Sequence, residues 1–146
     1  MTHDRSARFS RAAHPTEIEK ESEMKDDTIS IACRAYQAYV DKDRAAIEAV
    51  IADDFHFTSP RDNRINREAY FDKCWKNSDT ITGFTFINLV ADGERVFVTY
   101  EGQRSTGNPF RNTEIVTVRN GKIVEVEVYF GWSIPHEASM GGFLDL

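Results

Sequence analysis

Glu114, Tyr36 and Ser59 are the residues of this 146-residue chain whose types and settings could support acid–base chemistry. Glu114 lies in the run FRNTEIVTVR, among β-branched residues. A carboxyl on an apolar face is disfavoured as an anion, so its pKa rises toward the range where one group can both give and take a proton. Tyr36 and Tyr39 could donate hydrogen bonds to such a site. Ser59 closes the alternating stretch FHFTS before Pro60 breaks it into the charged loop RDN. A serine hydroxyl needs an activating partner before it can act as a base. Arg61 and Asp62 in that loop, and His56 on the other face of the stretch, read most simply as solvated or rim groups. No second His or Cys stands at a spacing that supports a metal site or a Ser-His-Asp triad, and no motif calls for a cofactor.

Whether Glu114 faces an interior depends on the hairpin VRNGKI. A two-residue turn on Asn120 and Gly121 would place Glu114 opposite Glu127, an unfavourable pairing of like charges. A turn with Gly121 in a left-handed bulge pairs Val118 with Lys122, Val116 with Val124 and Glu114 with Val126. That register gathers Val116, Val118, Val124, Val126, Val128, Phe130 and Trp132 on one face with Asn112 and Glu114, and it is the one expected. Glu125, Glu127 and Tyr129 then point outward with Thr113, Ile115 and Thr117. Glu114 could equally pair with Arg104, Arg111 or a tyrosine hydroxyl for structural reasons.

The elements that must hold these residues follow from periodicity. Ile29, Ala32, Cys33, Tyr36, Tyr39 and Val40 recur at helical spacing and give a core-facing helix from Asp26. Asp43 caps a second helix with Ala46, Ile47, Val50 and Ile51 as its stripe, ended by ADD. A strand from Phe55 to Ser59 follows, its phenylalanines inward. Asn66 caps a third helix whose Tyr70, Phe71, Cys74 and Trp75 form an aromatic inner side. Beyond Thr80 come four long runs separated by DG, TGNP and NG, an antiparallel meander. Helices first and sheet second is an α+β arrangement, and strands of this length must bend, giving a cone with an interior.

The composition narrows the classes. One domain is expected, with 40% apolar residues to fill its core. A net charge of −6 speaks against a nucleic-acid partner. No apolar run approaches the roughly 20 residues that span a bilayer, and no signal peptide is evident, so a cytoplasmic protein without a membrane partner is expected. Cys33 and Cys74 read as free thiols. Residues 1–25, with Arg5, Arg8, Arg11 and a charge-rich run, read as a disordered or helical leader, or as an extension upstream of a start at Met24. Residues 26–132 form the domain, and 133–146 a tail that either stays loose or folds over the open end.

Helix, capped helix, ADDFHFTSP, third helix, and a meander carrying NGKI and a closing aromatic strand resemble the nuclear transport factor 2-like superfamily. Within it the chain is similar to the SnoaL-like branch, relatives of ketosteroid isomerase and polyketide cyclases. The resemblance covers about residues 26–132. It implies a cone with one deep, apolar pocket and dimers through the sheet surface. In ketosteroid isomerases the residue before the proline of the first strand is a proton-shuttling aspartate; here it is Ser59. The family's helix tyrosine aligns with Ala35, and Tyr36 stands about 100° round the helix. The isomerases' second aspartate falls near Glu114. Steroid isomerisation is therefore disfavoured, and another reaction stays open.

The expected function is that of a pocket protein binding a small apolar or polyketide- or steroid-like molecule, with isomerase, cyclase or hydratase-type acid–base chemistry. Glu114 and Tyr36 would be catalytic, and Tyr39, Phe57, Ser59, Tyr70, Trp75, Asn112, Val126, Val128, Phe130 and Trp132 would contact the ligand. The alternative is a non-catalytic ligand-binding or dimerisation module, a homodimer through the outer sheet face.

Overall fold

The computed structural model describes residues 14–146. Residues 1–13 of the expected leader lie outside the described residues. Helix α1 runs Glu17–Asp41 and α2 Arg44–Val50. The charge-rich run is helical because Thr16 accepts a hydrogen bond from Glu19 N while Glu19 accepts one from Thr16 N, a reciprocal cap that satisfies two otherwise free N–H groups. The expected boundary after residue 25 thus falls inside α1. Lys42, in the left-handed region at φ 54°, ends α1, and the Asp43 carboxylate accepts from Ala46 N to start α2.

Strand β1 spans Ile51–Ser59 and begins four residues earlier than its alternation suggested. The exposed pair Asp53 and Asp54 masks a strand start whose Ile51 and Ala52 are buried. The loop after Pro60 was expected to be irregular, but β2, Asp62–Asn66, turns back on β1. Ser59 builds that turn: its Oγ accepts from Arg61 N at 3.0 Å and donates to Asp62 Oδ2 at 2.9 Å. Asn66 caps α3, Arg67–Lys73, by accepting from Ala69 N, and a 3₁₀ turn follows at Trp75–Asp79.

Four long strands complete the sheet: β3 Ile81–Asp92, β4 Arg95–Arg104, β5 Phe110–Arg119 and β6 Lys122–Ser133. The order is β2-β1-β6-β5-β4-β3. The meander is antiparallel as expected, but β1 joins β6 in parallel, so the six-stranded sheet is mixed. Register shifts in β1, β3 and β6 bend it into an open cone whose concave face receives the helices. The core lies there, with Tyr36 of α1, Ile47 of α2, Phe55 of β1, Tyr70 of α3 and Val96, Val98, Val116 and Ile123 of the sheet. Ile47 and Val98, both at 0% exposure, each contribute roughly 1.5–3 kcal/mol by leaving water.

The last hairpin departs from the expected register. Asn120 and Gly121, at φ 52° and 77°, form a two-residue turn, with Arg119 opposite Lys122 and Val118 opposite Ile123. Glu114 and Glu127 are nevertheless kept apart, because Val124 is an extra residue on β6: Thr117 already faces Glu125, and Glu114 faces Val128 rather than Val126. Ile123 takes the buried inward place expected of Val124. A second extra residue, Gly131, separates Phe130, opposite Asn112, from Trp132, opposite Arg111. A side chain there would begin 2.2 Å from the Arg111 carbonyl oxygen, so only glycine fits.

Candidate functional site

A cavity of about 800 Å³ lies between the helices and the concave sheet face. Its floor is built by alternation. Asn112, Glu114 and Val116 of β5, and Val126, Val128 and Phe130 of β6, project to the same side as Tyr100 of β4. Tyr36 and Tyr39 of α1 and Tyr70 of α3 line the cavity from the helical side.

Glu114 is the chemical centre of this wall. Tyr36 Oη donates to its Oε2 at 2.6 Å, and Tyr100 Oη to its Oε1 at 2.8 Å. Asn112 Nδ2 donates in turn to Tyr100 Oη at 3.3 Å. Removal from water raises the Glu114 pKa, and the two phenol hydrogen bonds oppose the shift without cancelling it. Burial, with the neighbouring Glu114 charge, pushes Tyr36 and Tyr100 upward, so both keep their protons as donors. Each carboxyl oxygen retains a second lone pair, leaving the group able to accept from a ligand as well.

Beside this unit the hydroxyls of Tyr39 and Tyr70 share a hydrogen bond at 2.5 Å, and burial raises both pKa values. Phe57 lines the cavity and packs on Tyr70, ring centroids 5.2 Å apart. Ser59, Arg61 and Asp62 also line it, so the β1–β2 turn is part of its wall. The Ser59 hydroxyl is committed to that turn, which is its visible role. Trp75 is displaced from its expected place: it does not line the cavity but packs edge-on behind Tyr39, centroids 5.0 Å apart. Trp132, beyond the Gly131 bulge, lines the cavity while remaining 46% exposed.

Sequence reasoning missed Tyr100, although Val96, Val98 and Tyr100 alternate in β4 and are all buried inward. It also missed Phe84, packed edge-on against Tyr36 and Tyr100, and Phe110, whose ring covers Gly102. Among the described residues no three His, Cys, Asp or Glu side chains gather as a metal-ligand group. No helix there is long and apolar enough to cross a membrane. Burial pushes the Cys74 thiol up to about 11, with Asp62 adding to the shift and Lys73 and Lys76 opposing it.

Solved structures share this architecture. An M. tuberculosis epoxide hydrolase of the LEH-like type superposes with a TM-score of 0.63 at 17% identity, over 73% of this chain and 84% of that one. A candidate ketosteroid isomerase from Kribbella flavida gives 0.62 at 14% identity, over 84% and 90%. A candidate polyketide cyclase from Streptomyces antibioticus gives 0.57 at 21%, over 69% and 89%. Likeness at these identities establishes the fold and leaves the reaction undetermined. No curated protein sequence matches the chain. The model of the SnoaL-like domain matches residues 32–126, which include Tyr36, Tyr100 and Glu114. The chain therefore belongs to the SnoaL-like domain family, built on the cone of the nuclear transport factor 2-like fold.

Proposed function

We propose that the cavity binds a small, largely apolar molecule and that Glu114 moves a proton on it. The observation that carries this reading is a carboxyl in the wall of an aromatic cavity, raised in pKa by burial and held by two phenols that stay protonated. Such a group takes a proton from an activated C–H or from water as the carboxylate, and returns it as the acid. Tyr36 and Tyr100 act as positioning residues, because their hydroxyl hydrogens go to Glu114. Tyr39 and Tyr70, Phe57, Asn112, Val126, Val128, Phe130 and Trp132 shape the ligand's surroundings. Isomerase, cyclase and hydratase-type reactions all fit this arrangement; a shuttle at the Ser59 position does not.

A second reading is favoured by the same geometry: both carboxyl oxygens already have partners within the protein, as a purely structural or ligand-binding carboxyl would. A homodimer through the outer face, where Tyr129 is 54% exposed, belongs to this reading. Native mass spectrometry of gently purified protein reports the subunit number and any retained compound, and that compound directs the assay. Turnover of an epoxide, a β,γ-unsaturated ketone or a polyketide-like ester, falling about 10²- to 10⁴-fold in Glu114→Gln while binding persists, is the expected result. Unchanged turnover in that variant would remove Glu114 as the proton carrier. A retained compound that is never converted would establish the binding module.

A further inference from the structure

Four cations line the cavity that holds Glu114 in its wall: Arg61, Lys73, Lys76 and Arg104. They come from four separate pieces of chain, the β1–β2 turn, the last residue of α3, the 3₁₀ turn and the last residue of β4. None of them takes part in an ion pair among the described residues. Besides Glu114, the carboxylate lining the cavity is Asp62, which accepts from the Ser59 hydroxyl; Asp62, Lys73 and Lys76 all act on the Cys74 thiol and so share one part of the wall. Arg104 is held instead by an aromatic face, its guanidinium 4.5 Å above the Phe110 ring, which also lines the cavity.

In a chain of net charge −6, a single cavity lined by four exposed, unpaired cations is not the average surface. Like charges drawn together repel, and that cost is removed when an anion sits among them. The remaining wall has the opposite character: aromatic and valine side chains around a single carboxyl. An anion would be attracted by these cations and repelled by Glu114 in its charged form, so the charges bias a ligand's orientation as well as its binding.

We infer that the cavity takes an amphiphilic organic anion, its apolar body against the β5–β6 floor and its anionic head among Arg61, Lys73 and Lys76. This rests on the pocket reading above and adds a substrate class to it: an apolar acid rather than a neutral hydrocarbon or steroid. With the head group held there, the apolar body lies against the wall that carries Glu114.

Two dyes with the same aromatic skeleton test it: 8-anilino-1-naphthalenesulfonate, which is anionic, and N-phenyl-1-naphthylamine, which is neutral. The chain has two tryptophans, one lining the cavity and one packed on Tyr39, so energy transfer from tryptophan reports dye binding, and the response to substitutions in the cavity lining locates it. The expected result is tighter binding of the sulfonate. Each of Arg61→Gln, Lys73→Gln and Lys76→Gln should weaken it about two- to fivefold, as exposed charges do, and added salt should weaken it further. The neutral dye should be indifferent to both changes. Equal binding of the two dyes in every variant overturns the anionic clamp and leaves the pocket standing. Absence of transfer with either dye overturns the pocket reading, and the clamp with it.

Discussion

Tyr36 on α1 and Tyr100 on β4 hold the two oxygens of the Glu114 carboxyl, one each, at 2.6 and 2.8 Å. A helix and two strands are thereby tied at one group. The tie sets the protonation of that group, since both phenols favour its charged form while burial favours its neutral one.

Removing either phenol hydroxyl should therefore raise the Glu114 pKa further. Tyr36→Phe and Tyr100→Phe each delete a donor to the carboxylate, and each should also cost about 1–3 kcal/mol of stability. Carbon-13 NMR of the glutamate side-chain carboxyl follows the titration directly. A midpoint that stays put in one variant would mean that its hydrogen bond is not made in solution.

Stability should depend on pH through the same group. The native Glu114 pKa lies above its unfolded value, so between the two the native state holds more protons, and stability falls as pH rises through that window. Glu114→Gln lacks this term. Urea midpoints measured from mildly acidic to neutral pH should decline for the natural sequence relative to the variant, and parallel curves would contradict the raised pKa.

Gly102 lies under the Phe110 ring, which lines the cavity. A methyl group there would begin 2.5 Å from the tip of the Phe110 ring, which must swing away. Gly102→Ala should shift the Phe110 ring in the cavity wall, change dye affinity severalfold, and cost about 1–3 kcal/mol as overpacking. Unaltered affinity and unfolding midpoint together would show that the ring does not rest on Gly102.

The parts of this fold that could be read from sequence are those decided locally. Asp43 and Asn66 cap their helices because capping needs only the residue and the N–H groups just ahead of it. The inward face of β5 was legible from alternation, since Glu114 shares its side with Val116 and Val118. The hairpin turn was not, because a bulge at Val124 resolves the Glu114–Glu127 conflict as well as a bulge in the turn would. The parallel contact of β1 with β6 and the return of β2 depend on residues distant in sequence or on a turn built by one serine hydroxyl. Tyr100 was visible in the β4 alternation, but its importance comes from lying diagonal to Glu114, which pairs with Val98. Trp75 was misplaced because aromatic periodicity marks an inner side without telling cavity wall from the layer behind it.

The parallel seam between β1 and β6 also bears on how the molecule is made. Its contacts, such as Phe57 with Val126, join residues far apart in the chain, with β2, α3, β3, β4 and β5 between them, and loops of that length close slowly. While a ribosome is still delivering β6, β1 and the hairpin it carries have no sheet to join, and the cavity wall lacks Val126, Val128 and Phe130. The chamber around Glu114 is thus among the last features to form during synthesis. A nascent chain paused before Lys122 would be the species most in need of a chaperone.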